Sequence, residues 1–206
     1  MTHTYFTTRL AIRHWKECDA PALFKLASDP EIGPIAEWVP HRNVEESLNI
    51  IRNVFIPQKE FYAVLRSSDK TLIGCVGLIL GNANVPLAEN EAEIGYWIGR
   101  NYWHQGYATE AAEWMLEQGF SRLGLRTIFA TCASVNARSV RLLRRLNFKF
   151  IGNRMSDNAL VDEYQPQKVW KFSKNSRQIK QMQITIEQPL SSHKQKTHKK
   201  NRKKTS

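Results

Sequence analysis

A short turn at the start of a helix is the strongest chemical feature of this sequence. The stretch NYWHQGYATEAAEWML, residues 101–116, leads from aromatic and polar residues through Gly106 into an alanine-rich segment of helical period. The first turn of a helix leaves backbone N–H groups unpaired, and these groups, with the helix dipole, bind anions. The turn therefore predicts a site for a phosphate or pyrophosphate group. A tight strand-to-helix connection, in which the glycine only relaxes the backbone, is the alternative interpretation.

The elements that must position this turn are a mixture of strands and helices. Alternating apolar residues predict strands at 9–15, 61–66, 71–80, 92–98 and 127–133, and a last hairpin made of 149–154 and 168–172. Asp19 and Asn43 are placed to cap two early helices. The residues predicted to face inward are Leu23, Phe24, Leu26 and Ala27 in the first of these, and Val44, Leu48, Ile51 and Phe55 in the second. Two later helices are predicted, one from the glycine turn to about Leu123 and one within 135–148. The predicted fold class is α+β.

Composition indicates a globular domain rather than a membrane or disulfide-stabilised protein. The chain has 206 residues, of which 42% are hydrophobic. Its longest apolar run, residues 72–80, is far below the roughly 20 residues of a membrane helix, and the first residues show no signal-peptide pattern. Cys18, Cys75 and Cys132 are widely spaced, so neither a disulfide framework nor a metal site is predicted. A reducing cytoplasm is the expected setting.

Most of the net charge of +11 lies at the carboxyl end of the chain. Residues 174–206 contain ten Lys or Arg and one acidic residue, Glu187, whereas residues 1–173 are nearly neutral. The sequence therefore predicts one domain, 1–173, and a basic, disordered tail, 174–206. Attraction to a phosphate polymer such as ribosomal RNA is one prediction for the tail, and a solubilising extension is the other.

Two stretches together carry a resemblance to a known family. EIGYWIGRNYWHQGYATEA (93–111), followed by NARSVRLLRRLNFKFIG (136–152), resembles the GNAT acetyltransferase superfamily, and most of all its branch that acetylates the N-termini of ribosomal proteins. TTRLAIRHW (7–15) and LIGCVGL (72–78) are similar to the opening and the central hairpin of that branch. The resemblance covers about residues 5–173. It implies a central, mostly antiparallel, twisted sheet that splays at the cofactor site and is flanked by helices.

The resemblance also implies acetyl-CoA as the donor and assigns residues to bind it. The pyrophosphate turn of the family, Arg/Gln-x-x-Gly-x-Gly/Ala, falls on Trp103 to Ala108, with His104 in place of a usual glycine. In the later motif, Asn147 stands where glycine usually precedes Phe148, and since asparagine tolerates the left-handed conformation, the helix is expected to end there. The predicted cofactor-binding residues are Trp97, Ile98, Trp103, His104, Gln105, Gly106, Tyr107, Ala108, Thr109, Asn136 and Ser139.

Acetyl transfer sets the roles that the remaining candidates could fill. An amine that attacks a thioester creates an oxyanion and expels a thiolate. We expect a backbone N–H of strand 92–98 to polarise the carbonyl and Ser139 to contact the leaving sulfur, although this serine could instead satisfy the first turn of its own helix. Glu93 is the predicted general base, directly or through water, and a solvated or ion-paired strand carboxylate is its alternative. Weaker catalytic candidates are Tyr96, His14, His104, Asp162 and Glu163.

The acceptor is left open among three hypotheses. A protein N-terminus is preferred, because an α-amine with a pKa of about 7.7–8.0 is already partly neutral, whereas a lysine at about 10.4 depends on a strong base. A polyamine or aminoglycoside-like small amine is the second, and a cleft lined by several carboxylates would favour it. A ribosome- or RNA-associated protein without turnover is the third. Residues 33–41, including Trp38 and Pro40, and the last hairpin are the predicted acceptor contacts. The chain is expected to be a monomer or a homodimer.

Overall fold

The protein is built on one eight-stranded sheet. The computed structural model describes residues 3–36, 38–156 and 166–174. The strands are β1 (Thr4–Phe6), β2 (Leu10–His14), β3 (Phe61–Arg66), β4 (Leu72–Ile79), β5 (Glu91–Ile98), β6 (Thr127–Ala133), β7 (Lys149–Met155) and β8 (Pro166–Ser173). They lie in the order β1-β2-β3-β4-β5-β6-β8-β7. Neighbouring strands are antiparallel except β5 and β6, which are parallel.

Helices cover both faces of this sheet. They are α1 (Ala20–Ala27), α2 (Gly33–Ala36), α3 (Val44–Ile50), α4 (Tyr107–Glu117) and α5 (Ala137–Arg145). The chain continues α3 and α4 as wider π-type turns, Ile51–Phe55 and Gln118–Arg122. Among the described residues, no helix combines the length and the apolar character that crossing a membrane requires. The predicted α+β class with a mostly antiparallel sheet is confirmed.

The two faces of the sheet have separate hydrophobic cores. On one face α4 packs Ala111 and Met115, both fully buried, against the sheet, and α5 adds Leu143. On the other face α1 contributes Leu23, and the turn after α3 contributes Ile51. Since successive residues of a strand point to opposite faces, β2, β3, β4 and β5 contribute side chains to both cores in alternation. The sheet therefore separates two hydrophobic cores. We call its two sides the α4–α5 face and the α1–α3 face.

The sheet has a gap between β5 and β6. β5 and β6 pair over only three positions, Glu91–Glu93 with Thr127–Phe129. Past these positions β5 remains paired with β4 as far as Ile98, and β6 remains paired with β8 as far as Ala133. The two parallel strands therefore diverge, which is the splay that the resemblance implied. Backbone groups of β5 that point toward β6 beyond Glu93 lack a strand partner there.

Local helix signals in the sequence are confirmed in part. Asn43 caps α3, accepting the N–H of Glu46 at 2.8 Å, and Asn147 ends α5 in the left-handed conformation with φ of 63°. Asp19 occupies the N-cap position of α1, but the prediction that it caps this helix is wrong. Its carboxylate instead accepts both terminal nitrogens of Arg13 at 2.7 Å, because a charged fork is a stronger partner than a neutral N–H.

Some parts of the fold differ from the sequence predictions or lie beyond the described residues. Val44 was predicted to face inward, and this is wrong, since Val44 is among the exposed large hydrophobic residues at the start of α3. The short strand β1 was not predicted. The basic tail, apart from its first residue Lys174, lies outside the described residues. The candidate bases Asp162 and Glu163 also lie outside them.

Candidate active site at the gap between β5 and β6

A cleft of about 570 Å³ passes through the gap and joins the two faces of the sheet. Its part on the α4–α5 face is bounded by the glycine turn and by α5. Its part on the α1–α3 face is bounded by α2, by the loop that follows it and by the turn after α3. Most of the predicted site residues line the cleft: Glu93, Tyr96, Trp97, Ile98, Trp103, His104, Gly106, Tyr107, Ala108, Thr109, Asn136 and Ser139.

The glycine turn forms a concave backbone surface at the mouth of α4. His104 and Gly106 both have left-handed backbones, with φ of 61° and 81°, so His104 adopts the conformation for which glycine is usual. A Cβ added to Gly106 would approach Arg9 Nη2 at 3.3 Å. The N–H groups of Tyr107, Ala108 and Thr109 begin the helix and have no acceptor within it. This arrangement of free donors at the positive end of a helix fits a pyrophosphate.

A salt bridge from a distant strand holds the turn in place. Arg9, immediately before β2, donates through Nε to Glu110 Oε2 at 2.8 Å and through Nη1 to the carbonyl oxygen of Gln105 at 2.8 Å. Its guanidinium also lies over the ring of Tyr107, with Cζ 4.7 Å from the centre of the ring. Thr7 donates to Glu110 Oε1 at 2.6 Å. The helix dipole also favours a carboxylate at this position near the start of α4.

These contacts fix the charge of Glu110. Partial burial raises the pKa of the Glu110 carboxyl, but the Thr7 hydroxyl, the Arg9 amide and the Arg9 guanidinium outweigh it and hold that pKa below its ordinary value. The carboxylate therefore remains charged at neutral pH and keeps Arg9 beside the turn. The guanidinium adds a positive charge at the edge of the proposed pyrophosphate site.

Three arginines of α5 line the same part of the cleft, and the sequence reasoning did not assign them. Arg138, Arg141 and Arg145 recur at helical spacing and so share a face of α5. The Arg138 guanidinium lies 3.7 Å from the centre of the Trp103 ring, whose Nε1 donates to the carbonyl of Ile98 at 2.6 Å. The spacing was visible in RSVRLLRR, but nothing in it distinguished a solvated face from a cleft wall.

Tyr96 and Ser139 bring two hydroxyl groups together on the α4–α5 face. Tyr96 lies on β5 beside the gap and Ser139 in the first turn of α5, and the Ser139 hydroxyl is close enough to the Tyr96 phenol to influence its pKa. Burial raises the pKa of the Tyr96 phenol well above its ordinary value, and the nearby Ser139 hydroxyl offsets this only in part. Tyr96 therefore stays protonated at neutral pH and can donate a hydrogen bond.

The helix cap leaves the Ser139 hydroxyl available. Asn136 Oδ1 accepts the backbone N–H of Ser139 at 3.1 Å and so caps α5. The capping role that was the alternative for Ser139 is filled by this neighbouring side chain. Asn136 also lines the cleft, where contact with the cofactor arm was predicted.

Glu93 lies on the α1–α3 face and is almost fully buried, at 2% exposure. Oε2 accepts the N–H of Asn84 at 2.7 Å, while Oε1 accepts Asn84 Nδ2 at 3.1 Å and the hydroxyl of Thr131. These bonds tie the loop between β4 and β5 to the edge of the gap. Since a carboxylate offers about four acceptor positions, one position on Oε2 is left for a water or an amine.

The other predicted residues are placed as follows. The Trp97 side chain points to the α1–α3 face, away from the glycine turn, and meets Trp38 edge to face at 5.2 Å. Any contact of Trp97 with the cofactor arm must therefore use its backbone. Gln105 does not line the cleft, because its amide donates to the carbonyl of Asn101 at 3.2 Å. His14 packs on Tyr62 at 4.6 Å, also outside the cleft.

Comparison with known proteins agrees with this geometry. A family described as the acetyltransferase (GNAT) domain matches residues 9–149. The uncharacterized N-acetyltransferase p20 of Bacillus licheniformis is 30% identical over 151 residues, which are 71% of this chain and 82% of that protein. The uncharacterized N-acetyltransferase YoaA of Bacillus subtilis is 29% identical over 147 residues, which are 69% of this chain and 81% of that protein.

Solved structures share the fold. A GNAT-family acetyltransferase from Bacillus anthracis superposes with a TM-score of 0.70 at 22% identity, covering 83% of this chain and 98% of its own. RimL, a ribosomal L7/L12 alpha-N-protein acetyltransferase solved in complex with coenzyme A, superposes with a TM-score of 0.69 at 20% identity, covering 83% and 98%. The splayed sheet, the glycine turn and these matches identify the chain as a member of the GNAT acetyltransferase family.

Proposed function

We propose that this acetyltransferase transfers the acetyl group of acetyl-CoA to the N-terminal α-amine of a protein or peptide. The observation that carries the proposal is the cleft through the gap, which reaches both faces of the sheet. A pyrophosphate-binding turn lies on one face, and a separate entrance for an amine lies on the other. The donor and the acceptor can therefore be bound together, and the amine can attack directly.

The residues of the α4–α5 face suit coenzyme A. The free N–H groups at the start of α4 and the side-chain-free backbone at Gly106 would hold its pyrophosphate, and Arg138, Arg141 and Arg145 would balance its phosphate charges. Acetyl-CoA supplies an activated acetyl group as a thioester. Ser139 and Tyr96 lie further along the cleft, at the gap, where a hydroxyl can donate to the sulfur that leaves.

The residues on the α1–α3 face suit an amine. As the C–N bond forms, the C–S bond breaks, a proton leaves the amine and the sulfur of CoA takes up a proton. Glu93 is placed on the side from which the amine approaches, with one acceptor position on Oε2 to receive the amine proton directly or through water. Unpaired backbone N–H groups of β5 past Glu93 can stabilise the oxyanion.

The cleft lining bears on the choice of acceptor. Glu93 is the only carboxylate among the described residues that line the cleft, whereas three arginines of α5 line it. A polyamine or an aminoglycoside carries several positive charges and would need several carboxylates. A peptide N-terminus carries one amine, so it fits this lining better. The similarity to RimL, whose described acceptor is a ribosomal protein, supports the same choice.

Mass spectrometry of protein N-termini tests this proposal. We expect a set of N-termini to lose acetylation in cells that lack the protein and to regain it when the wild-type chain is restored. A Ser139→Ala chain, expressed at the same level, should restore them only in part. Identical N-terminal acetylation in all three cell lines would contradict the proposal.

A further inference from the structure

The acceptor half of the cleft is an aromatic and aliphatic pocket. Trp97 points to the α1–α3 face whereas Tyr96, its neighbour on β5, points to the α4–α5 face, so the gap separates two linings of different chemistry. The side chains that define the pocket on the α1–α3 face are Ile32, Trp38, Phe55, Phe61, Ile79 and Trp97. We call this set the aromatic pocket.

The rings of the aromatic pocket support one another and still offer surface to a ligand. Trp38 and Trp97 meet edge to face at 5.2 Å, and Phe55 stacks with Phe61 at 6.1 Å. All four are only partly buried. Aromatic side chains that are braced by their neighbours lose little conformational freedom on binding, so they are effective contact surfaces for an apolar group.

A glycine keeps the floor of this pocket open. Gly95 lies between Glu93 and Trp97 on β5 and shares their face of the sheet. A Cβ added at Gly95 would meet no atom within 4 Å. The free volume therefore begins at the backbone of β5, two residues from the carboxylate proposed to receive the amine proton.

Charge in the cleft argues against a cationic or strongly polar occupant. Glu93 is the carboxylate among the described lining residues, and both of its oxygens already accept hydrogen bonds from Asn84 or Thr131. The neighbouring walls of the pocket offer ring faces and methyl groups. A polar side chain entering there would lose its water without gaining partners.

We propose that the acceptor is a primary amine carried beside a bulky apolar or aromatic group, and that this group occupies the aromatic pocket. The inference rests on the proposed function, since it assigns a side-chain preference to the acceptor of the same reaction. For a peptide, the group is the side chain of the first residue. For a small amine, it is an aryl or branched alkyl substituent.

The test measures kcat/KM with saturating acetyl-CoA on two matched pairs of acceptors. One pair is a pair of tetrapeptides that differ only in Phe or Ser at the first position, and the other is phenethylamine and spermidine. We expect kcat/KM of the Phe peptide to exceed that of the Ser peptide by roughly tenfold or more, because a single methylene in an apolar pocket already changes kcat/KM by about 10–200-fold. We also expect phenethylamine to exceed spermidine.

Variants locate this preference in the pocket. Gly95→Leu should fill the pocket and reduce acetylation of the Phe peptide more than that of the Ser peptide, with acetyl-CoA affinity unchanged. Gly81→Leu is the matched control, because a Cβ at this exposed glycine also meets nothing within 4 Å. Trp38→Ala is a second variant, which removes a ring from the opposite side of the pocket. It should reduce the difference in kcat/KM between the Phe and Ser peptides.

The possible outcomes test the aromatic pocket and the peptide acceptor separately. A Phe preference among the peptides that Gly95→Leu abolishes supports both. A preference confined to phenethylamine, with neither peptide acetylated, supports the pocket and contradicts the peptide acceptor. Equal or better use of the Ser peptide contradicts the pocket while the peptide acceptor stands. Absence of turnover with all four acceptors, in a protein that binds acetyl-CoA, contradicts both.

Discussion

The hydroxyl groups of Tyr96 of β5 and Ser139 of α5 lie close to each other at the mouth of the gap between β5 and β6. The two residues are 43 positions apart in the chain. Their contact joins the strand that would bind the thioester to the helix that would bind the cofactor arm. The pKa of the Tyr96 phenol is raised by burial, so the pair retains its protons at neutral pH and can donate a hydrogen bond to a thiolate.

Ser139→Ala is expected to lower kcat by about 10- to 100-fold while acetyl-CoA affinity changes little. The reason is that a hydrogen bond to a charged group is worth about 1.5–3 kcal/mol, and the sulfur becomes charged only as the C–S bond breaks. Steady-state kinetics measures kcat, and calorimetry measures the affinity for acetyl-CoA, so the two effects can be separated. Ser134→Ala, which alters a serine outside the cleft, is the control. Full turnover in Ser139→Ala would remove this residue from the chemistry.

Gly106→Glu is expected to abolish acetyl-CoA binding while the domain remains folded. The added side chain and its negative charge would enter the space proposed for the pyrophosphate, close to Arg9. Gly124→Glu is a matched control, because Gly124 also has a positive φ, 67°, and its Cβ would meet no atom within 4 Å. Both variants thus place a side chain at a glycine with a positive φ and add the same charge. If calorimetry finds equal acetyl-CoA affinity in the two, the glycine turn is not the pyrophosphate site.

Glu93→Gln is expected to flatten the rising limb of the pH–rate profile. A general base acts only when it is deprotonated, so its removal takes away the increase in rate with rising pH. Thr131→Val is the control for position, since it removes one hydrogen bond to Glu93 but leaves the carboxylate. This control should keep the rising limb even if its maximum rate falls. An unchanged limb in Glu93→Gln would assign proton removal to water, and Glu93 to anchoring the loop at Asn84.

Arg141→Ala is expected to weaken acetyl-CoA binding by roughly 10- to 100-fold, since a charge-assisted contact to phosphate contributes about 1.5–3 kcal/mol. Arg144→Ala is the control on the same helix, because Arg144 lies over the ring of Trp170 rather than in the cleft. Calorimetry at two salt concentrations checks the assignment, as the difference between the variants should shrink in high salt. Equal affinities in both variants at low salt would contradict a phosphate-binding role for α5.

Local signals in the sequence predicted the local parts of this structure well. Asn43, Gly106 and Asn147 were predicted at helix ends, and each lies there, because caps and left-handed turns depend on a few neighbouring residues. Asp19 was predicted to cap a helix in the same way, but Arg13 offered its carboxylate a stronger partner.

The parts that could not be predicted depend on contacts between distant residues. Arg9 and Glu110 are about a hundred positions apart, and nothing near either residue indicated that they meet at the glycine turn. The direction of Trp97 was equally hidden, since a strand shows which residues alternate but not which face borders the cofactor. The arginines of α5 showed helical spacing, whereas their position in a cleft wall depends on where the sheet splays.

The central claim is that this cleft acetylates an α-amine, and one peptide tests it directly. The peptide has Phe at its first position and a single lysine later, so it offers an α-amine and a side-chain amine in one molecule. After incubation with the protein and acetyl-CoA, fragmentation in a mass spectrometer locates the acetyl group. We predict acetylation at the α-amine, which is lost in Gly106→Glu and kept in Gly124→Glu. Acetylation at the lysine alone, or none in a protein that binds acetyl-CoA, would contradict it.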